Sequence, residues 1–144
     1  MLIKKIITLV LLFLSVNIYA DYSLDSNNDG ILDLWVKEIP SEGVLISTDT
    51  DFDGNIDSIL KMDQNRESLY EETDYNLDGS MDNFYYYENG VVVRQEVDSN
   101  YDSRVDIWIY ICNDGSSIYR YEKDTNFDGI VDKVKEFEVD KKNG

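Results

Sequence analysis

The sequence contains no histidine, one cysteine (Cys112) and one proline among its 144 residues. Without histidine, the chain can form neither a Ser-His or Cys-His nucleophile relay nor an imidazole metal site. A single cysteine excludes an internal disulfide framework. We expect Cys112 to be a buried small hydrophobe, with an intermolecular disulfide as the alternative. Basic residues are also scarce, 13 against 30 acidic ones, which argues against a nucleic-acid-binding surface.

Long hydrophobic runs are absent except for one near the N-terminus. Two lysines precede an apolar run over residues 6–16, and a small residue, Ala20, precedes an acidic segment. This pattern is typical of a secretory signal peptide over residues 1–20, with a retained N-terminal anchor as the alternative. The run is shorter than the roughly 20 residues that span a bilayer. We therefore expect one domain over residues 21–144, secreted or periplasmic, with no membrane span after signal removal.

Aspartate is abundant, and it recurs in a nine-residue segment. Five segments follow the pattern D-x-[DN]-x-D-[GS]-x-Φ-D, where Φ is apolar, and we call them acidic loops one to five, with positions 1 to 9. They occupy residues 25–33, 49–57, 74–82, 98–106 and 124–132. The repeats leave no room for a separate catalytic domain. Every carboxylate pair is also duplicated, whereas a catalytic site is normally singular, so we expect no enzymatic activity.

The segments between the acidic loops are short and rich in β-branched and aromatic residues, which favours strands over helices. Turn sequences separate them, and Asn89-Gly90 and Asp114-Gly115 predict type I′ hairpin turns. The predicted strands cover residues 33–39, 43–48, 57–62, 68–73, 82–87, 91–97, 106–112, 117–123 and 132–139.

This alternation predicts an all-β fold, an antiparallel meander of about ten strands. Alternate connections of a meander fall at the same end of the sheet, so all five acidic loops should line one rim, roughly 9–10 Å apart. The spacing leaves open whether the sheet is open, barrel-like or layered. Apolar residues on both faces favour curling or partial layering.

The acidic loops carry oxygen ligands in an arrangement that suits Ca²⁺. Asp or Asn at positions 1, 3 and 5 places oxygens on one side of a tightly curved backbone, and glycine at position 6 permits the curve. The position-7 carbonyl and the position-9 carboxylate raise the total to five or six hard oxygens, which suits Ca²⁺ better than Mg²⁺. The candidate metal ligands are Asp25, Asn27, Asp29, Asp33, Asp49, Asp51, Asp53, Asp57, Asp74, Asn76, Asp78, Asp82, Asp98, Asn100, Asp102, Asp106, Asp124, Asn126, Asp128 and Asp132.

The acidic loops resemble known calcium-binding segments. Positions 1–6 and 8 are similar to an EF-hand loop, but position 12 lacks the expected glutamate and the flanking segments predict strands. The pattern is more similar to the β-hairpin calcium loops of FG-GAP/VCBS repeats, including those of integrin α-subunits. This resemblance implies ligation by the side chains at positions 1, 3, 5 and 9 and by the position-7 carbonyl. It covers only the loops and does not imply a propeller.

The acidic loops are not equivalent. Loop two has four carboxylates, so we expect it to bind Ca²⁺ most tightly. Loop four has Ser103 at position 6 and Arg104 beside it, so we expect it to be the weakest site. Affinities of about 10⁻⁴ to 10⁻³ M are typical of extracellular modules. Because clustered carboxylates repel one another without a cation, we expect binding to be coupled to folding.

The sequence therefore predicts a secreted, calcium-stabilised β-repeat protein with a structural or adhesive role. The alternative is a module that binds carbohydrate or protein through exposed aromatic residues. Its candidates are Trp35, Trp108 and the consecutive Tyr85, Tyr86 and Tyr87. Cross-strand packing would also explain these aromatic residues.

Overall fold

The computed structural model describes residues 21–139, so the predicted signal peptide lies outside the described residues. Ten strands in this range pair in chain order into one antiparallel sheet. They are β1 (Tyr22–Leu24), β2 (Leu34–Ile39), β3 (Gly43–Thr48), β4 (Ser58–Met62), β5 (Ser68–Thr73), β6 (Asn83–Glu88), β7 (Val91–Val97), β8 (Ile107–Ile111), β9 (Ile118–Lys123) and β10 (Lys133–Glu136).

The predicted ten-stranded meander is confirmed. Within residues 21–139, β1 and β10 each pair on one side only, so the sheet is open, and its strands form one layer. The same part of the chain contains no helix of the length and hydropathy that a membrane crossing needs.

The predicted strand ends differ from the structure by up to three residues. Strands that follow an acidic loop begin one residue later than predicted, because the position-9 aspartate closes the loop. For example, the N–H of Asp57 donates to the carbonyl of Thr48 at 2.9 Å, and Ser58 then starts β4. The last strand ends at Glu136 rather than at residue 139.

Equivalent residues of successive repeats form continuous rows across the sheet. Val36 lies opposite Ile46, which lies opposite Leu60, and we call the face that carries this row the core face. Trp35 and its neighbours Ser47 and Ile59 point to the other face, which we call the tryptophan face. Side chains alternate between the two faces along each strand.

The buried apolar core is small and lies at one end of the sheet. Its members all belong to β2, β3 and β4, and Tyr22 and Leu60 pack against them. They are Leu34, Val36, Val44, Ile46 and Met62. Among the described residues, the strands from β5 onward contain no fully buried apolar side chain. Most apolar side chains of this sheet are therefore only half-buried.

One of the two predicted type I′ turns is confirmed. Asn89 and Gly90 both have positive φ angles, 51° and 74°, as this turn requires. The prediction for Asp114-Gly115 is wrong, because only Gly115 has a positive φ, 70°. The N–H of Gly115 donates to the carbonyl of Cys112 at 2.7 Å, so Asp114 lies inside a longer turn.

Gly43 occupies a position that no other residue could fill without movement of the backbone. Its φ is +130°, and a Cβ built there would lie 2.0 Å from the carbonyl oxygen of Met62 on the neighbouring strand. The turn between β2 and β3 therefore holds the start of β3 unusually close to the end of β4.

Candidate metal centre

The five acidic loops lie side by side at one rim of the sheet. The N–H of the first aspartate in each later loop donates to the carbonyl of the last aspartate in the loop before it. These bonds join Asp49 to Asp33, Asp74 to Asp57, Asp98 to Asp82 and Asp124 to Asp106, at 2.8–2.9 Å. The backbone thus links the loops into a continuous row.

Each loop is curved around the carboxylate at position 1. In loop two, Oδ1 of Asp49 accepts the N–H of Phe52 at 2.7 Å, and Oδ2 accepts the N–H of Gly54 at 2.9 Å. The corresponding bonds from positions 4 and 6 to position 1 occur in all five loops. The first aspartate therefore organises the loop backbone as well as supplying a carboxylate.

Two positions of each loop have left-handed backbone conformations. Position 6 has a positive φ in every loop, as expected for the glycines there, and Ser103 adopts 67° at this position in loop four. Position 4 also has a positive φ, between 61° and 67°, which the sequence pattern does not predict. The residues at position 4 are Asn28, Phe52, Leu77, Tyr101 and Phe127. Of these residue types, only asparagine tolerates the left-handed conformation well. Residue propensities therefore do not predict a positive φ at position 4.

The carboxylates at the base of the loops are buried. Eight of the ten aspartates at positions 1 and 9 are at most 3% exposed: Asp33, Asp49, Asp57, Asp74, Asp82, Asp98, Asp106 and Asp124. The position-9 carboxylate accepts the N–H of position 2, for example from Tyr75 to Asp82 at 2.8 Å. Buried charge of one sign is costly unless it is paired, so the rim favours cations electrostatically.

Burial and hydrogen bonding oppose each other at two of these carboxyls, Asp82 and Asp124. Burial raises the pKa of Asp82, and the N–H groups of Tyr75 and Asn76 only partly offset this. At Asp124 burial also acts to raise the pKa, but four backbone N–H groups, those of Gly129 and Phe127 foremost, hold the pKa below its usual value. These hydrogen bonds therefore favour the charged form of the Asp124 carboxylate.

Loop two brings three carboxylates together. Oxygen atoms of Asp49, Asp51 and Asp57 all lie within 4.8 Å of one another. Local desolvation, followed by the neighbouring carboxylates, raises the pKa of Asp51, although the N–H of Asp53 partly offsets the effect. Asp53 itself does not belong to this group, and its Oδ1 accepts the N–H of Asn55 at 2.7 Å. Three of the four predicted side-chain ligands of loop two thus converge.

In the other four loops, position 3 is an asparagine that bridges to position 5. The Asn27 side-chain amide donates to Oδ2 of Asp29 at 2.8 Å, and the same bond recurs in loops three, four and five. The position-5 carboxylate also accepts the N–H of position 7 in every loop, as at Asp78 and Ser80. Positions 3 and 5 therefore interact with each other in these loops, and no further group of three clustered carboxylates forms among the described residues.

Loop four carries a basic side chain from the neighbouring strand. Nζ of Lys123, at the end of β9, lies 3.9 Å from Oδ1 of Asp106 and 3.4 Å from Oγ of Ser99. Asp106 is almost fully buried, and the Lys123 side chain is 25% exposed. The loop sequence itself contains Ser103 and Arg104, whereas Lys123 reaches the site only through the pairing of β8 with β9.

The aromatic residues form part of the sheet packing. On the tryptophan face, the hydroxyl of Tyr70 donates to Glu72 at 2.7 Å, and that of Tyr86 donates to Glu96 at 3.0 Å. Burial, together with these bonds, raises the pKa of both tyrosines. Tyr85 and Tyr87 point to the core face instead, as expected for consecutive residues of a strand.

Trp35 and Trp108 both lie on the tryptophan face and are half-buried. The register places them in one row of the sheet, with half-buried Phe84 between them. In the same row, Glu72 and Glu96 flank Phe84.

Fold and rim together define an open antiparallel meander whose hairpins carry a repeated aspartate loop. No protein-family model, curated protein or solved structure matches the chain.

Proposed function

We propose that the protein is a secreted or periplasmic β-repeat protein whose acidic loops bind Ca²⁺, and that this binding stabilises the fold in a structural or adhesive role. The observation that carries the proposal is the convergence of Asp49, Asp51 and Asp57 within 4.8 Å in a loop whose backbone design recurs five times. All three ligands are carboxylates, and hard oxygen ligands favour Ca²⁺ over softer metals.

The number of buried loop aspartates exceeds the number of buried apolar side chains, which supports a stabilising role for the cation. The structure buries eight loop aspartates but only five apolar side chains among the described residues. Each bound Ca²⁺ would offset the mutual repulsion of the carboxylates in its loop. At a free Ca²⁺ concentration of 100 times Kd, one site adds about 2.7 kcal/mol to the free energy of unfolding. Such a term is large for a domain with a small core.

The test is thermal unfolding of the chain from residue 21 onward in excess EGTA and in rising CaCl₂, followed by calorimetric titration. We expect the midpoint to rise with Ca²⁺ and to rise much less with equal concentrations of MgCl₂. Equal ionic strength in NaCl is the control for general screening. An identical midpoint in EGTA and in millimolar Ca²⁺, with no binding heat, would contradict the proposal.

A matched pair of variants tests which loops bind. Asp51→Ala removes one of the three converging carboxylates from loop two, and Asp102→Ala removes a carboxylate from loop four. We expect the first change to weaken Ca²⁺ binding strongly and the second to matter less. Equal losses, or a larger loss at Asp102, would contradict the ranking of the sites.

A second candidate is a carbohydrate or protein ligand at the tryptophan face. The row that contains Trp35, Phe84 and Trp108 favours it, because half-buried aromatic rings offer flat apolar contact area. Titration of tryptophan fluorescence with oligosaccharides, compared between the unmodified chain and Trp108→Ala, tests this candidate. A response that is the same in both proteins would exclude this row as the binding surface.

A further inference from the structure

The two edges of the sheet interrupt the series of hydrogen bonds that links the loops. Inside the sheet, the N–H of position 1 in each later loop donates to the position-9 carbonyl of the loop before it. Within residues 21–139, loop one has no preceding loop and loop five has no following one. The N–H of Asp25, beside β1, and the carbonyl of Asp132, beside β10, are therefore the two ends of this series.

Asp25 and Asp132 also differ from their equivalents in burial. The other eight aspartates at positions 1 and 9 are at most 3% exposed, whereas Asp25 is half-buried and Asp132 is exposed. The last strand shows the same difference. All four residues of β10 are exposed, although most residues of β2, β4, β6 and β8 are buried or half-buried. The two edges thus lack the neighbouring strand that covers equivalent positions inside the sheet.

The edge strands run in the directions that the repeat joins. β10 runs away from its acidic loop, as β2, β4, β6 and β8 do, and each of those strands pairs with a following strand that runs towards the next loop. β1 runs towards loop one, which is the direction that a strand on the free side of β10 needs. Within one chain, β1 and β10 are nine interstrand spacings apart, roughly 43 Å along the sheet. One molecule therefore leaves both edges open.

We propose that these edges bind each other between molecules: β10 of one molecule pairs antiparallel with β1 of a second copy of this chain. The exposed main-chain groups of an edge strand are a template for such pairing. The contact continues the meander and places loop one of the second copy beside loop five of the first. This inference goes beyond the proposed function and does not depend on calcium binding.

The register inside the sheet predicts the register of the junction. In every interior repeat, the residue after position 9 lies opposite the residue before position 1 of the next loop, as Ser58 lies opposite Thr73. The carbonyl of Asp132 would then accept the N–H of Asp25 of the second copy, which extends the bond series. The same register pairs Lys133 with Leu24, Val134 with Ser23 and Lys135 with Tyr22.

The charges of the two edges are complementary. β10 carries Lys133 and Lys135, although the chain has only 13 basic residues against 30 acidic ones. β1 lies between Asp21 and Asp25. Because these charges meet across the junction, they favour pairing of unlike edges over pairing of two β1 or two β10 strands.

A second copy also supplies what an unrelated strand does not. Only a strand that leads into an acidic loop brings a position-1 N–H to the carbonyl of Asp132. Val134 and Leu24 are 52% and 38% exposed, and the junction would cover both. On the tryptophan face, Val134 would lie next to Ser23, which already lies opposite Trp35, so the row of this face would continue into the second copy.

One like-charged pair would lie at the far end of the junction, where the register sets Glu136 opposite Asp21. Glu136 already lies 3.1 Å from a guanidinium nitrogen of Arg120, and Asp21 accepts the N–H of Glu38 at 2.9 Å. Both carboxylates therefore have partners before the junction forms, which limits their repulsion.

The junction is small, because β1 has three residues and β10 has four. Small interfaces of this kind are weak, so we expect reversible association that depends on protein concentration. Each molecule has one edge of each kind, so the contact is head to tail and leads to open chains of molecules.

The experiment is disulfide trapping of the chain from residue 21 onward in a Cys112→Ser background. Ser23→Cys and Val134→Cys together place one thiol on each edge. Directly opposite residues of an antiparallel pair have Cα atoms about 4.5–5.5 Å apart, which suits a disulfide. After mild oxidation at rising protein concentration, in EGTA and in CaCl₂, we expect a ladder of covalent dimers, trimers and larger species on a non-reducing gel.

The matched control is Ser23→Cys with Lys135→Cys, which moves one thiol a single residue out of register. The two side chains then point to opposite faces of the sheet, so the ladder should disappear. Equal ladders from both double variants would overturn the inference, because they would show collision without a defined register. Absence of a ladder from both, in either buffer, would overturn it as well.

A second measurement needs no cysteine. Ser23→Lys with Val134→Lys places like charges directly opposite at the junction, whereas Ser23→Glu with Val134→Lys places unlike charges there. Sedimentation velocity in 0.5 M NaCl, which screens the general repulsion, should show a dissociation constant roughly tenfold higher for the first pair. Equal constants, or monomers of the unmodified chain at all concentrations, would overturn the inference and leave the proposed calcium binding untouched.

Discussion

Replacement of Lys123 by glutamine should tighten calcium binding in loop four. The ammonium group lies 3.9 Å from a buried carboxylate oxygen of Asp106, at position 9 of the loop. The ammonium group therefore compensates part of the negative charge of Asp106, as a bound cation would. Removal of this charge leaves Asp106 available to a metal and removes repulsion between the ammonium group and the ion.

The distance sets the size of the effect. Two unit charges 3.9 Å apart interact by about 1 kcal/mol in water and about 4 kcal/mol at an effective dielectric constant of 20. Because Asp106 is buried and the Lys123 side chain is 25% exposed, the interaction energy lies between these two values, and the lower one is its minimum. We therefore expect Lys123→Gln to lower the Kd of loop four for Ca²⁺ by at least about fivefold.

The assay is a calcium titration followed by amide NMR signals. The N–H groups of Ser103 and Gly54 report on loops four and two separately, because each donates to the position-1 carboxylate of its own loop. Lys133→Gln, on the adjacent strand and in the same row as Lys123, is the matched control for net charge. An equal shift in both variants, or a weaker loop four in Lys123→Gln, would refute the assignment of Lys123.

Three further predictions concern stability. Gly43→Ala should lower the free energy of unfolding by about 3 kcal/mol or more, measured by urea denaturation, because its Cβ would meet the Met62 carbonyl oxygen; an unchanged midpoint would contradict this. Ser103→Gly should raise it by about 1 kcal/mol in the same assay, since glycine adopts a φ of 67° without strain; a loss of stability would contradict this. Burial and a bond to Glu72 raise the pKa of Tyr70 in the folded state, so its stabilising contribution is complete below the unfolded pKa of about 10 and is lost as pH rises above it. Thermal midpoints between pH 9 and 12 should therefore fall less steeply in Tyr70→Phe than in the unmodified chain, and parallel curves would contradict this.

Most of the sheet could be predicted because each repeat contains the same local signals. Strands β3, β5 and β7, each of which leads into the next acidic loop, have the predicted bounds. The acidic loops recur at regular intervals along the chain. β1 was not predicted as a separate element, because its three residues carry too little hydrophobic pattern. Only its pairing with β2 identifies it as a strand.

The loop interior was less accessible to sequence reasoning. Position 4 has a left-handed backbone in residues such as Phe52 and Leu77, which propensity assigns elsewhere, and only the hydrogen bonds to position 1 explain it. The position of Lys123 beside loop four depends on strand pairing and not on local sequence. The turn at Asp114 was predicted incorrectly because a dipeptide signal does not determine how many residues the turn contains.

The location of the buried apolar core has a consequence for how the molecule can vary in length. Within residues 21–139, all five buried apolar side chains belong to β2, β3 and β4, and every later strand pairs only with its neighbours in chain order. Whole hairpin units at the C-terminal edge could thus be gained or lost without any change to this buried core. Each such unit would lengthen the row of loops by the distance between two neighbouring loops. The number of repeats would therefore set the length of the rim.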